Sequence, residues 1–102
     1  MKKLDYYFKK AIKNGFALGA FNFSNLETLV AICQAAEKTN SPVMVCVSEG
    51  AIKYMGIDFV VSMAKTAKKQ YKAPIFLHLD HGQSFEICAL AVDKGFDSVM
   101  ID

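Results

Sequence analysis

The amino-acid sequence predicts an α/β protein built on a parallel sheet, and three observations carry that expectation. Val43-Met-Val-Cys-Val47 is a continuous apolar run rich in β-branched residues, with none of the polar alternation of a half-solvated strand. Ile75-Phe-Leu-His-Leu79 is a second buried run of strand length. Between and around these runs, apolar residues recur at helical spacing, and polar groups able to do chemistry fall at the ends of the strands, where α/β enzymes collect them.

The elements follow in order. Leu4, Tyr7, Phe8, Ala11 and Ile12 mark an opening amphipathic helix, closed by Gly15 as a C′ residue. Ala17 to Phe23 is an apolar run of strand length. Ser24 and Glu27 then read as a capping box ahead of the stripe Leu26, Leu29, Val30, Cys33 and Ala36, and the breaker Asn40-Ser41-Pro42 ends that helix. After the strand at 43–47, Ile57, Val60, Val61, Ala64, Ala67 and Tyr71 form the next helical stripe, with Lys65, Lys68 and Lys69 facing outward. Pro74 opens the strand Ile75–Leu79. Phe85, Cys88, Ala89 and Val92 mark a third crossover helix, stopped at Lys94-Gly95, and Phe96 to Asp102 is a fourth strand.

Repeating βα units imply right-handed crossovers and a parallel sheet, open or closed into a barrel. A closed barrel of this kind takes eight strands and about 250 residues. The sequence supplies four strands, about half. A flavodoxin-like open sheet is the alternative, but it would begin with a strand and this chain begins with a helix.

Composition narrows the function. With 53% hydrophobic residues over 102, the chain can bury a core and is no disordered tail. A net charge of +2, with the lysines scattered singly or in short pairs, gives no nucleic-acid-binding patch. Cys33, Cys46 and Cys88 are widely spaced within apolar segments, as buried thiols in a reducing compartment would be. Met1-Lys2-Lys3 imitates the start of a signal peptide, but Asp5, Lys9, Lys10 and Lys13 leave no apolar stretch behind it. No apolar run approaches the roughly 20 residues of a membrane span, so no membrane partner and a cytoplasmic location are expected.

A parallel sheet brings the C-terminal ends of its strands to one rim. There the sequence places Asn22, Ser48 with Glu49, Asp80 with His81, and Asp102: an amide, a hydroxyl, carboxylates and an imidazole. Each also has a structural reading. Asp80 serves equally as a cap of the following helix or as a proton-transfer group, and a lone His81 is no metal site, since catalytic zinc takes three protein ligands. Asn22 and Ser48 could each begin the segment that follows. His78 alternates with Asp80 and should lie on the same face one layer deeper, as a hydrogen-bonded supporting group. Cys46, in mid-strand, reads as inert core. There is no Gly-rich dinucleotide fingerprint, no phosphate-binding loop, no paired-cysteine zinc motif, no nucleophile elbow and no lysine at a strand tip for a Schiff base.

Taken together, Gly19-Ala-Phe-Asn22, Ser48-Glu-Gly-Ala-Ile-Lys-Tyr54, His78-Leu-Asp-His-Gly82 and Ser98-Val-Met-Ile-Asp102 resemble class II, zinc-dependent fructose-bisphosphate aldolases, from about residue 4 to the last. The relatives that cleave tagatose bisphosphate share most of the pattern, and Gly82 with Ser48-Glu-Gly50 favours the fructose branch. The resemblance implies a TIM (β/α)8 barrel, of which residues 1–102 would be the N-terminal half, a partial domain truncated after its fourth strand. It implies Asp80 as the general acid/base at the substrate's C4 hydroxyl, and His81 as one ligand of a catalytic Zn2+. Asp102 would serve a second position taking a divalent metal or a monovalent cation. Ser48 would contact the glyceraldehyde-phosphate portion of the substrate, and Asn22 would line its pocket. In that chemistry the metal stabilises the negative charge left when the C3–C4 bond breaks, which accords with the missing Schiff-base lysine. The remaining zinc ligands would lie on later strands, so the chain alone is expected to be inactive; the alternative outside the enzyme class is a non-catalytic half barrel that only binds a partner or a phosphosugar. Its implied partners are a small phosphorylated sugar and, for a half barrel with two unpaired strand edges, either a separate C-terminal half or, when complete, further copies of itself.

Overall fold

The computed structural model describes residues 2–102. Its elements run α1 (Leu4–Asn14), β1 (Gly19–Asn22), α2 (Leu26–Lys38), β2 (Val43–Val47), α3 (Glu49–Met55), α4 (Ile57–Gln70), β3 (Ile75–Gly82), α5 (Phe85–Lys94) and β4 (Ser98–Ile101). The four strands form one sheet in the order β1-β2-β3-β4, and every neighbouring pair is parallel.

Local chemistry accounts for most boundaries. Gly15 ends α1 in a left-handed conformation at φ 73°, its N–H bonded to the Ala11 carbonyl. The cap of α2 is Asn25 rather than Ser24: the Asn25 Oδ1 accepts both the Thr28 N–H at 2.8 Å and the Thr28 hydroxyl at 2.5 Å. The expected Ser24–Glu27 box is therefore displaced by a better-placed side chain one residue on. The sequence pattern also overlooks α3. It is a seven-residue helix capped by Ser48 and ended at Gly56, where φ is 93°, too short to display a periodic stripe.

Register divides the sheet into two faces. On one, Val43, Val45 and Val47 of β2 and Ile75, Leu77 and Leu79 of β3 are buried under α2, α4 and α5, against Leu29, Cys33, Val60, Ala64, Cys88 and Ala91. On the other, Met44 and Cys46 of β2 and Phe76 of β3 pack with Leu4, Tyr7 and Leu18, and the Tyr7 and Phe76 rings lie 5.6 Å apart. The helix α1 thus closes the lower part of this second face. Every residue of β2 is buried, which is why its sequence shows no alternation.

Below the sheet, the Asp97 carboxylate accepts the Leu77 N–H at 2.7 Å and the Lys68 ammonium at 2.6 Å. One side chain thereby ties the entry of β4 to β3 and α4.

Candidate active site

The strand β3 reaches Gly82, beyond the apolar run that announces it, and its last turn is irregular. His78 and Leu79 pair with Ser98 and Val99, then the ladder to β4 shifts and resumes at Gly82 opposite Ile101. A bulge of this kind re-aims side chains at a strand end. Within it His81 takes φ 53°, a left-handed conformation uncommon for a residue with a side chain. Gly82 is buried, and a Cβ there would stand 2.5 Å from the Cys88 Sγ, 2.9 Å from the Leu79 Cδ2 and 3.1 Å from the Met100 carbonyl oxygen. Only glycine fits between β3, β4 and α5 at that point.

The bulge brings four of the five anticipated residues into one chain of contacts. The Asn22 amide, from β1, donates to the Asp80 Oδ2 at 3.2 Å, reaching across Cys46 of the intervening strand. The Asp80 Oδ1 lies 3.6 Å from the His81 Nε2, within ion-pair range though too far for a hydrogen bond. The His81 Nδ1 and the Asp102 Oδ2 are 2.6 Å apart. The fifth residue, Ser48, stands apart from this chain: its hydroxyl accepts the Ala51 N–H at 3.1 Å and caps α3.

A family model for class-II fructose-bisphosphate aldolase matches residues 2–102. The chain belongs to that family. It is 56% identical over 94 residues to a fructose-bisphosphate aldolase of Helicobacter pylori, covering 91% of this chain and 31% of that relative. Among solved structures, the YdjI aldolase of Escherichia coli K12 superposes with a TM-score of 0.88 at 28% identity, over 97% of this chain and 39% of that one. The fructose-bisphosphate aldolase of Campylobacter jejuni superposes with a TM-score of 0.73 at 27% identity, over 89% of this chain and 30% of that one. The chain spans about a third of the length of the curated relatives it matches. Its four-stranded parallel sheet and crossover helices have the fold of the first part of an aldolase barrel.

Electrostatics sets the two histidines of this aldolase-family chain apart. The hydrogen bond to Asp102, reinforced by the charge of Asp80, raises the pKa of His81 above its ordinary value. His78, half-buried one layer below on the same face, has its Nδ1 2.5 Å from the Ser98 hydroxyl. Burial lowers its pKa, against the opposing pull of Asp80. His78 is thus a half-buried, hydrogen-bonded group below Asp80, as their alternation suggests, and burial favours its uncharged form. Burial first, then the charge of Asp80, pushes the Cys46 thiol up to about 11, so it has no nucleophilic character at neutral pH.

The zinc that the family implies can be tested against this donor set. If the Nδ1 of His81 donates to the Asp102 carboxylate, a neutral imidazole would leave its Nε2, 3.6 Å from the Asp80 Oδ1, able to ligate a metal. Among the described residues, no group of three or more His, Cys, Asp or Glu is placed to hold a metal ion. The residues fit one ligand of a zinc centre and do not complete it.

Two contacts at the rim have no forerunner in the sequence reading. One is Ser98 as the partner of His78. The other is Glu49, whose Oε2 accepts the backbone N–H of Gln83 at 2.6 Å. A hydroxyl opening the fourth strand and a carboxylate next to Ser48 are the only local signals of either. A cleft of about 1020 Å³ lies along β1 and α2, lined by residues such as Phe16, Phe21, Ile32 and Val43, and none of the rim residues lines it. No helix among the described residues is long and apolar enough to cross a membrane.

Proposed function

We propose that this chain forms the N-terminal part of a zinc-dependent aldolase with a (β/α)8 barrel, of which it carries the first four strands. The reaction is the reversible cleavage of fructose 1,6-bisphosphate to dihydroxyacetone phosphate and glyceraldehyde 3-phosphate, a step of glycolysis and gluconeogenesis in the cytoplasm. The observation that carries this reading is the chain Asn22–Asp80–His81–Asp102 at one end of the sheet, in a member of this family.

Each residue takes a part its geometry suits. Asp80, half-buried and steadied by the Asn22 amide, removes the proton from the C4 hydroxyl as the C3–C4 bond breaks and C4 becomes an aldehyde. His81 would hold the zinc through its Nε2, with Asp102 on the other ring nitrogen. A bound zinc supplies Lewis-acid stabilisation of the charge left on the dihydroxyacetone-phosphate side. Asp102 would also serve a further divalent or monovalent cation. Asn22 lines the substrate pocket, and Ser48 meets the glyceraldehyde-phosphate end from the first turn of α3. The complete enzyme is a homo-oligomer, or the chain works with a separate C-terminal half. On its own the chain, with one zinc ligand, is inactive.

Two variants of the full-length enzyme separate the roles. Asp80→Ala lowers turnover by roughly 10²–10⁴ with zinc content unchanged, whereas His81→Ala strips the zinc. Loss of zinc from Asp80→Ala, with normal turnover in the fraction still metallated, would reverse the two assignments.

A further inference from the structure

We propose that Glu49 is a positioning residue for His81: its carboxylate holds the loop after β3 so that the left-handed turn at His81 presents the imidazole to the rim. The catalytic consequence rests on His81 being a zinc ligand, as set out above; the geometric consequence does not.

A histidine at φ 53° occupies a conformation that costs free energy and persists only where its surroundings over-determine it. The surroundings do so on the C-terminal side of the turn. At Gly82, the carbonyl accepts the Asp102 N–H at 3.0 Å, and the residue is wedged between the Cys88 Sγ, the Leu79 side chain and the Met100 carbonyl. At Gln83, the backbone N–H is taken by the Glu49 Oε2 at 2.6 Å, the short distance of a charge-assisted bond. The first restraint belongs to the β3–β4 ladder. The second hangs on one side chain.

Glu49 is well placed to act as an anchor. It is half-buried and is the first residue of α3, a helix fixed by the Ser48 cap and by Ile52 in the core. The bond spans 34 residues of sequence and joins the start of α3, just after β2, to the loop after β3. Position and charge therefore come from a rigid element, and what they hold is the residue two places beyond His81. The proposed chemistry gives Glu49 no other task.

The test compares wild type, Glu49→Ala and Glu49→Gln in the 102-residue chain labelled with 13C and 15N. Wild type should show His81 Cα and Cβ shifts of a left-handed residue and a protected Gln83 N–H. Glu49→Ala should move those shifts toward ordinary values and speed Gln83 exchange by about 10- to 100-fold. Glu49→Gln keeps an accepting oxygen and should recover most of both, with far-ultraviolet circular dichroism confirming that each variant is folded. His81 shifts and Gln83 protection unchanged in Glu49→Ala would overturn the proposal. A second readout is zinc affinity in the full-length enzyme, expected to fall by about 10–100-fold in Glu49→Ala and to be restored in Glu49→Gln. If His81 moves and zinc affinity does not, the ligand role of His81 fails and the positioning of His81 by Glu49 stands.

Discussion

Replacing Gly82 by Ala is the sharpest test of how the rim is packed. The added Cβ would lie 2.5 Å from the Cys88 Sγ, 2.9 Å from the Leu79 Cδ2 and 3.1 Å from the Met100 carbonyl oxygen, all inside ordinary van der Waals contact. A thiol and a leucine methyl can shift, but the carbonyl belongs to β4 and moves only with its strand. Overpacking a tight site costs about 1–3 kcal/mol, and the alanine returns about 0.4–1 kcal/mol by restricting the unfolded chain. The difference spans about 0–2.6 kcal/mol, and the approach to a strand carbonyl places this site in its upper part, about 1–2 kcal/mol. For a domain of this size it amounts to a fall in melting temperature of roughly 5–15 °C, at about 4–8 °C per kcal/mol. Urea unfolding of wild type, Gly82→Ala, Cys88→Ala and the double variant measures it. Removing the Cys88 sulfur relieves the nearest clash, so the double variant should be more stable than the two single effects summed, with a coupling of about 0.5 kcal/mol or more. A Gly82→Ala chain within about 0.5 kcal/mol of wild type, or strict additivity, would refute the claim that packing demands glycine here.

Two further expectations concern titration. The two histidines should titrate on opposite sides of pH 6.5 in an NMR experiment, His78 below because it is buried and His81 above because Asp102 and Asp80 favour its charge. The signs of their effects on folding differ accordingly. The raised pKa of His81 adds stability below pH 6.5 that is lost as pH climbs through its folded value, whereas the lowered pKa of His78 costs stability as pH falls below 6.5. Asp102→Asn should bring the His81 midpoint down and leave His78 in place; coincident midpoints in wild type would contradict the site geometry. Burial pushes the Cys33 and Cys46 thiols up to about 11, so at pH 8 a thiol reagent should label them only after urea is added, and rapid labelling of the native chain would show the core to be open.

The β-branched runs at 43–47 and 75–79 made the sheet legible because a strand buried on both faces has no polar position to mislead the reader. Asp80 and His81 were legible as rim residues for a related reason: in a parallel sheet, position in the chain determines which end of the strand a residue occupies. The helix α3 was not, since seven residues with Gly50 among them show no full stripe. The left-handed turn at His81 and the shift in the β3–β4 ladder are also absent from any local pattern. They arise from contacts between segments distant in sequence, such as Glu49 with Gln83 and His81 with Asp102. Ser48 was legible both as a group at the end of β2 and as the start of the next segment, and its hydroxyl caps α3.

The proposed function gives this chain the proton-transfer carboxylate and one zinc ligand of an aldolase, the remaining ligands lying outside it. The most direct measurement is fructose 1,6-bisphosphate cleavage, with zinc content, by the 102-residue chain alone and after mixing with the C-terminal portion of a family relative. No turnover and no stoichiometric zinc are expected from the chain alone, with both appearing in the mixture and disappearing again in His81→Ala. Turnover with one equivalent of zinc in the chain alone would contradict the proposed function.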